Sequence, residues 1–228
     1  MNFAEKVIAF NRSLEFPWTL PDGIRIMNPF AENPQALETS SQFYRKYYGD
    51  THPRKLILGI NPGRFGAGVT GIPFTDTKRL EEYCGLSIGG LSTYEPSSVF
   101  VYRVIDAYGG VEAFYRDYYI TSVSPLGFVK GNDKGREVNY NYYDSRDLTA
   151  AALPFMVKSI ETQLAFGIDR TTCFCLGNNQ NFKFLSRLNR EKGYFGEIVP
   201  LEHPRFVMQY RSKYIDDYIR KFIRLLKP

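Results

Sequence analysis

The sequence predicts an α/β fold built around a mostly parallel sheet. Three observations carry that prediction: short apolar runs of strand length, helical periods between them, and loops bearing glycine or proline where the runs end. The chain has 228 residues, 43% hydrophobic and 23% charged, enough to bury a core without metals, disulfides or a partner. No internal repeat, low-complexity tract or linker divides it. Residues 1–228 are therefore expected to form a single, monomeric domain.

In chain order, an amphipathic helix is predicted near Phe3–Ser13, and Phe16–Pro34, with its prolines and asparagines, reads as a connection. A helix follows at Gln35–Tyr48. The apolar run Lys55–Ile60, closed by Asn61-Pro62-Gly63, reads as a buried parallel strand. Comparable runs stand at Asp117–Val123, Thr171–Leu176 and Gly196–Val199. Helical periods separate and follow them at Asp76–Cys84, Ser97–Tyr108, Arg146–Phe166, Asn181–Glu191 and Ser212–Leu226. Asp76 is placed to cap the helix it begins.

Lys and Arg outnumber Asp and Glu by 29 to 24, and 17 Tyr and 18 Phe supply flat faces. This is a modest bias toward polyanionic partners and gives surfaces on which a base or sugar can stack. Of the three cysteines, Cys84, Cys173 and Cys175, the last two alternate in a strand, and all three read as buried, reduced thiols. The spacing fits neither a zinc nor an iron–sulfur site, so no metal or cofactor is expected. Glu5, Lys6 and Arg12 interrupt the first apolar period, and no long uncharged run occurs. Neither a signal peptide nor a membrane span is expected, which points to the cytoplasm or the genome.

In a parallel sheet, reactive residues belong on the loops leaving the carboxyl ends of the strands. Three such loops stand out. Gly59–Phe74 holds five glycines and two prolines, residues that admit a ligand to the backbone and stiffen the turn, but it has neither Walker nor Rossmann spacing. Thr121–Gly127 and Leu201–Arg211 are the other two. Of the two histidines, His52 precedes the first strand and His203 follows the last, so position favours His203.

Together these loops resemble the uracil-DNA glycosylase superfamily, most closely its single-strand-selective monofunctional branch. The resemblance rests on Gly-x-Asn-Pro-Gly-x-Phe-Gly at Gly59–Gly66, Thr-Gly-x-Pro-Phe at Thr70–Phe74, and His203-Pro204, in that order over roughly Lys55–Arg211. It implies a three-layer α/β/α fold around a four-stranded sheet. It also implies hydrolysis of the bond joining a damaged, deaminated base to deoxyribose, without strand cleavage, in base excision repair. DNA, single- or double-stranded, would be the partner, on the nucleoid of a bacterium or in the nucleus of a eukaryote.

By the same resemblance, Asn61 positions the water and His203 donates to the base carbonyl as negative charge grows there. Phe74 stacks on the flipped base, and the backbone of Pro62, Gly63 and Arg64 adds contacts to it. At Ser122 the sequence departs from the family, which has a base-reading asparagine there. A hydroxyl cannot reproduce the paired bonds that choose uracil over cytosine, so uracil selectivity is either weakened or built from another residue, with candidates in Asn132–Asn141. The room it leaves makes xanthine or hypoxanthine a second substrate.

Base flipping also needs a wedge and phosphate contacts. Arg205, Phe206, Tyr210 and Arg211 suit these, with Asn178 either touching a phosphate or capping a helix. The segment Lys130–Asp147, charged and rich in Asn and Tyr, reads equally as a DNA-contacting flap or an exposed loop. The rival reading is a non-catalytic nucleic-acid or nucleotide-binding module on the same fold. The presence of both Asn61 and His203 argues against it.

Overall fold

Backbone placement turns the apolar runs into strands and leaves the loops between them at one end. The computed structural model describes residues 1–227. In chain order the elements are α1 (Phe3–Arg12), β1 (Ile24–Met27), α2 (Pro29–Glu32), α3 (Pro34–Tyr48), β2 (Arg54–Gly59), α4 (Ala67–Thr70), α5 (Thr77–Cys84), α6 (Pro96–Tyr108), α7 (Val111–Asp117) and β3 (Tyr118–Ser122). Then follow β4 (Gly127–Gly131), β5 (Glu137–Tyr140), α8 (Arg146–Leu164), β6 (Ile168–Leu176), α9 (Gln180–Lys192), β7 (Glu197–Leu201), α10 (Pro204–Tyr210) and α11 (Ile215–Leu226).

Four strands form an all-parallel sheet in the order β3-β2-β6-β7. The central strand β2 buries Leu56, Ile57 and Leu58 together, as a strand covered on both faces must. Neighbouring residues of β3 show the two covering layers, because successive side chains leave a strand on opposite faces. Tyr119 packs edge-on against Phe3 of α1 and bonds Gln163 of α8. Tyr118 packs against Tyr108 of α6 and donates to the Leu226 carbonyl of α11. The three-layer α/β/α arrangement follows. The register sets Gly59 beside Ser122 and Leu176 beside Leu201, so the three candidate loops leave the same edge.

Helix starts follow their local chemistry. Asn2 and Glu5 form a reciprocal capping box on α1, Asn33 caps α3 ahead of Pro34, Asp76 caps α5 as expected, and Ser145 caps α8.

The structure departs from the sequence reading in four places. Phe16–Pro34 is not merely a connection, since it holds β1 and α2. Lys130–Asp147, exposed from Lys130 to Val138 as a flap or loop would be, is more than a connection. It contains the end of β4 and all of β5, which with β1 form a separate antiparallel sheet in the order β1-β4-β5. These strands have only four or five residues, too few for a period of two to stand out. Asp117 ends an unforeseen helix, α7. The stretch after His203 is a helix, α10, where a loop was expected, whereas the C-terminal helical segment does open at Ser212, with one 3-10 turn at Ser212–Tyr214 ahead of α11. The thiols of Cys84, Cys173 and Cys175 are free and buried, as expected. Among the described residues no helix is long and apolar enough to cross a membrane.

Candidate active site

At the carboxyl end of the sheet lies a cavity of about 350 Å³, lined among others by Asn61, Phe74, Ser122 and His203. Three strand ends thus bring together residues distant in sequence, as the switch-point rule for parallel sheets requires.

Asn61 stands two residues past the end of β2 and is fixed from the far side. Its Oδ1 accepts from the Tyr142 backbone N–H at 3.1 Å, and its Nδ2 donates to the Tyr140 carbonyl at 3.2 Å. Both partners lie at the exit of β5, so the segment read as a flap or loop orients this amide. Oδ1 keeps a second lone pair for a water. Asn181, at the start of α9 and buried, stiffens the arrangement. It donates to the carbonyls of Gly59 and Leu176 at 3.3 and 2.9 Å and accepts from the Tyr142 hydroxyl at 2.7 Å.

His203 is the N-cap of α10, with Pro204 in the first helical position. Its Nδ1 accepts from the Arg205 backbone N–H at 3.2 Å. That bond requires the tautomer with hydrogen on Nε2. Burial, and secondarily the Arg205 cation, push the pKa of the imidazole down to about 4. Near neutral pH the ring is therefore uncharged and carries one N–H donor.

Phe74 stands 5.7 Å from the His203 ring, between centroids, at an interplanar angle of 54°. Its φ of +53° is unusual for a residue with a β-carbon, and such a conformation costs about 1–3 kcal/mol. Gly59 makes room for the ring. A β-carbon there would lie 3.2 Å from both Phe74 Cε2 and Ser122 Oγ. Ser122, buried at the end of β3, lines the main cavity and a small pocket of about 20 Å³ behind it, enough for one water.

One acidic side chain enters the site. Glu95, just before α6, lays its carboxyl group against Gly63 and Gly66, where a β-carbon would lie 3.0 Å and 2.0 Å from its oxygens, tight at the first and a collision at the second. Burial, then the nearby Asp76 charge, push its pKa up to about 7, against an opposing pull from Arg205.

The rim completes the cavity. Arg205, Phe206 and Tyr210 of α10 and Asn178 after β6 all border it, whereas Arg211, at the end of α10, does not and stacks on Phe206 at 5.8 Å. Pro62 and Gly63 also line it. The Arg64 N–H, expected to face the base, instead donates to Asn139 Oδ1 at 3.0 Å. The helix after Asn178 is capped at Asn179, with no side-chain bond from the cap.

The family model for the uracil DNA glycosylase superfamily matches residues 46–227. The chain belongs to the uracil-DNA glycosylase superfamily. Its similarity to a crystal structure of wild-type Pedobacter heparinus SMUG2 is close, at 52% identity with a TM-score of 0.98, covering 100% of this chain and 97% of that one. This places it in the SMUG-like branch. No curated protein matches it.

Within this superfamily site, sequence reasoning missed Glu95, Asn181 and the orienting role of Tyr140 and Tyr142. Glu95 is a single acid before a proline, and Asn181 looks like any polar residue in a first helical turn, so neither gives a local signal. Asn139 and Asn141, within the range expected to help read the base, do line the cavity. Pro204 behind His203 was a readable sign of a helix start.

Proposed function

We propose that this protein is a monofunctional uracil-DNA glycosylase that hydrolyses the N-glycosidic bond of a uracil flipped from a DNA strand, with xanthine and hypoxanthine as further substrates. Superfamily membership supports the uracil-DNA glycosylase chemistry. The observation that carries the residue roles is the convergence on one cavity of an uncharged Nε2–H donor at His203, the braced Asn61 amide and the Phe74 ring.

As the bond between the sugar C1′ and the base nitrogen breaks, positive charge builds on the sugar and negative charge on the base. His203 donates to the base carbonyl oxygen as that charge grows. One preorganised donor of this kind is worth about 2.7–4 kcal/mol. A neutral donor suits the task because its proton need not leave the ring, a logic shared with other enzymes that keep an imidazole uncharged. Asn61 holds a water through its free lone pair. That water adds to C1′, and its proton ends on the departing base. Asn61 thus orients rather than deprotonates. No lysine lines the cavity, which supports base release without an amine nucleophile and hence without strand cleavage.

Ser122 leaves the base edge unread by an asparagine, and the pocket behind it adds space. Both support acceptance of a larger purine bearing a carbonyl. Phe206 and Tyr210, exposed on α10 beside the cavity mouth, suit the wedge that fills the gap, and Arg205, Arg211 and Asn178 suit phosphate contacts.

The test is incubation of excess protein with end-labelled single- and double-stranded oligonucleotides, each carrying one uracil, xanthine or hypoxanthine, followed by alkali. Breakage at the modified position only after alkali is expected. Binding with no release from any substrate would make the protein a non-catalytic binding module, and breakage before alkali would exclude the monofunctional reaction.

A further inference from the structure

A second cavity of about 500 Å³ adjoins the first and shares Glu95, Ser97, Asn139, Arg205 and Gln209 with it. Its remaining wall is apolar and aromatic. Phe65 and Tyr94 are 53% and 58% exposed, far more than a core would leave such rings, and Val138 and Met208 line the cavity with them. Two arginines line it. The Arg64 guanidinium lies 5.0 Å from the Phe65 ring with its Nε buried and unpaired among the described residues, and Arg205 stands on the wall shared with the first cavity. The catalytic chemistry uses none of Phe65, Tyr94, Val138 or Met208.

Aromatic faces framed by arginines are the usual means of holding unpaired nucleotides, with the base stacked and the phosphate neutralised. A strand that sends one base into the catalytic cavity must continue past its rim, and the shared wall puts this second cavity directly on that path. We infer that it is a subsite for the nucleobase adjoining the flipped one on the same single strand, stacked on Phe65 or Tyr94, with the phosphate held by Arg64 or Arg205. The inference rests on the proposed action on DNA, and it makes an unstacked neighbour, as found in single strands, part of what is recognised.

The test uses short single-stranded oligonucleotides with a central 2′-fluorinated deoxyuridine, which seats a base without being cleaved. The neighbouring base, on the 5′ or the 3′ side, is either present or replaced by an abasic spacer, and binding is read by fluorescence anisotropy. Loss of the base on one side only is expected to weaken binding by about five- to a hundredfold. The Phe65→Ala/Tyr94→Ala double variant, with an unchanged circular dichroism spectrum, is expected to bind both forms alike. Equal binding with and without either neighbour in the wild type, or a penalty that the double variant keeps, would overturn the subsite. Because this readout needs no catalysis, a protein that shows the one-sided effect yet releases no uracil would refute the glycosylase reading and leave the subsite standing.

Discussion

The two ends of the parallel sheet handle buried polarity in opposite ways. At the amino end, Arg54 is wholly buried, with its guanidinium 4.9 and 4.7 Å from the rings of Phe3 and Tyr48. It bonds both Asp50 oxygens, at 2.8 and 3.0 Å, and the carbonyls of Tyr115, His52 and Tyr47. Its charge is neutralised, its donors are paired, and the bond to Arg54 holds Asp50 below the usual carboxylate range. At the carboxyl end, His203 and Glu95 are shifted toward their uncharged forms, and Phe74 is held in a strained conformation. The same sheet thus stores stability at one end and unmet polar capacity at the other, which is what a site awaiting a charged transition state requires.

If that contrast is right, substitutions at the two ends separate stability from activity. Arg54→Ala should produce the largest change at the amino end, about 3–5 kcal/mol in urea unfolding, through the void and the orphaned carbonyls, while the protein that remains folded keeps its base-release rate. A comparable loss of rate per folded molecule would break the separation. At the other end, Ser122→Asn should shift the ratio of uracil to xanthine release about tenfold toward uracil, on the scale of one gained hydrogen bond. An unaltered ratio in single-turnover assays would assign base reading to Asn139 or Asn141.

The smallest expected effect lies in pH. Ionised Glu95 opposes negative charge on the departing base, so release should be a few-fold faster at pH 6 than at pH 8, with an inflection near 7 that Glu95→Gln removes. His203 contributes no inflection there, because it stays neutral until pH approaches 4. Stability carries the complementary signs. The contribution of Glu95, raised from 4.5 to about 7, is complete below 4.5 and lost as pH rises through 7. His203, lowered from 6.5 to about 4, makes the fold less stable as pH falls across that window. Relative to wild type, Glu95→Gln should therefore lose stability between pH 7 and 4.5, as measured by urea titrations at each pH.

The sequence showed the parallel sheet plainly because buried strands such as Leu56–Leu58 are continuously apolar and end in turn residues. It also showed Asn61, Phe74, Ser122 and His203, three of them through motifs and Ser122 through its departure from one. It concealed the second sheet, whose short strands alternate too briefly, and with it the bonds from Tyr140 and Tyr142 that orient Asn61 across some eighty residues of chain. Glu95 was concealed for a related reason. Its role comes from the absence of side chains at Gly63 and Gly66, a long-range packing relation that no local pattern encodes.

Single-turnover base release from a uracil-containing strand, with strand affinity measured alongside, compares wild type with Asn61→Ala and His203→Ala most directly. The account predicts that each variant slows release about 10²- to 10³-fold, with affinity within a few-fold of wild type. Release at the wild-type rate in either variant would contradict the role given to that residue, and in both would remove the carboxyl end of the sheet from the chemistry.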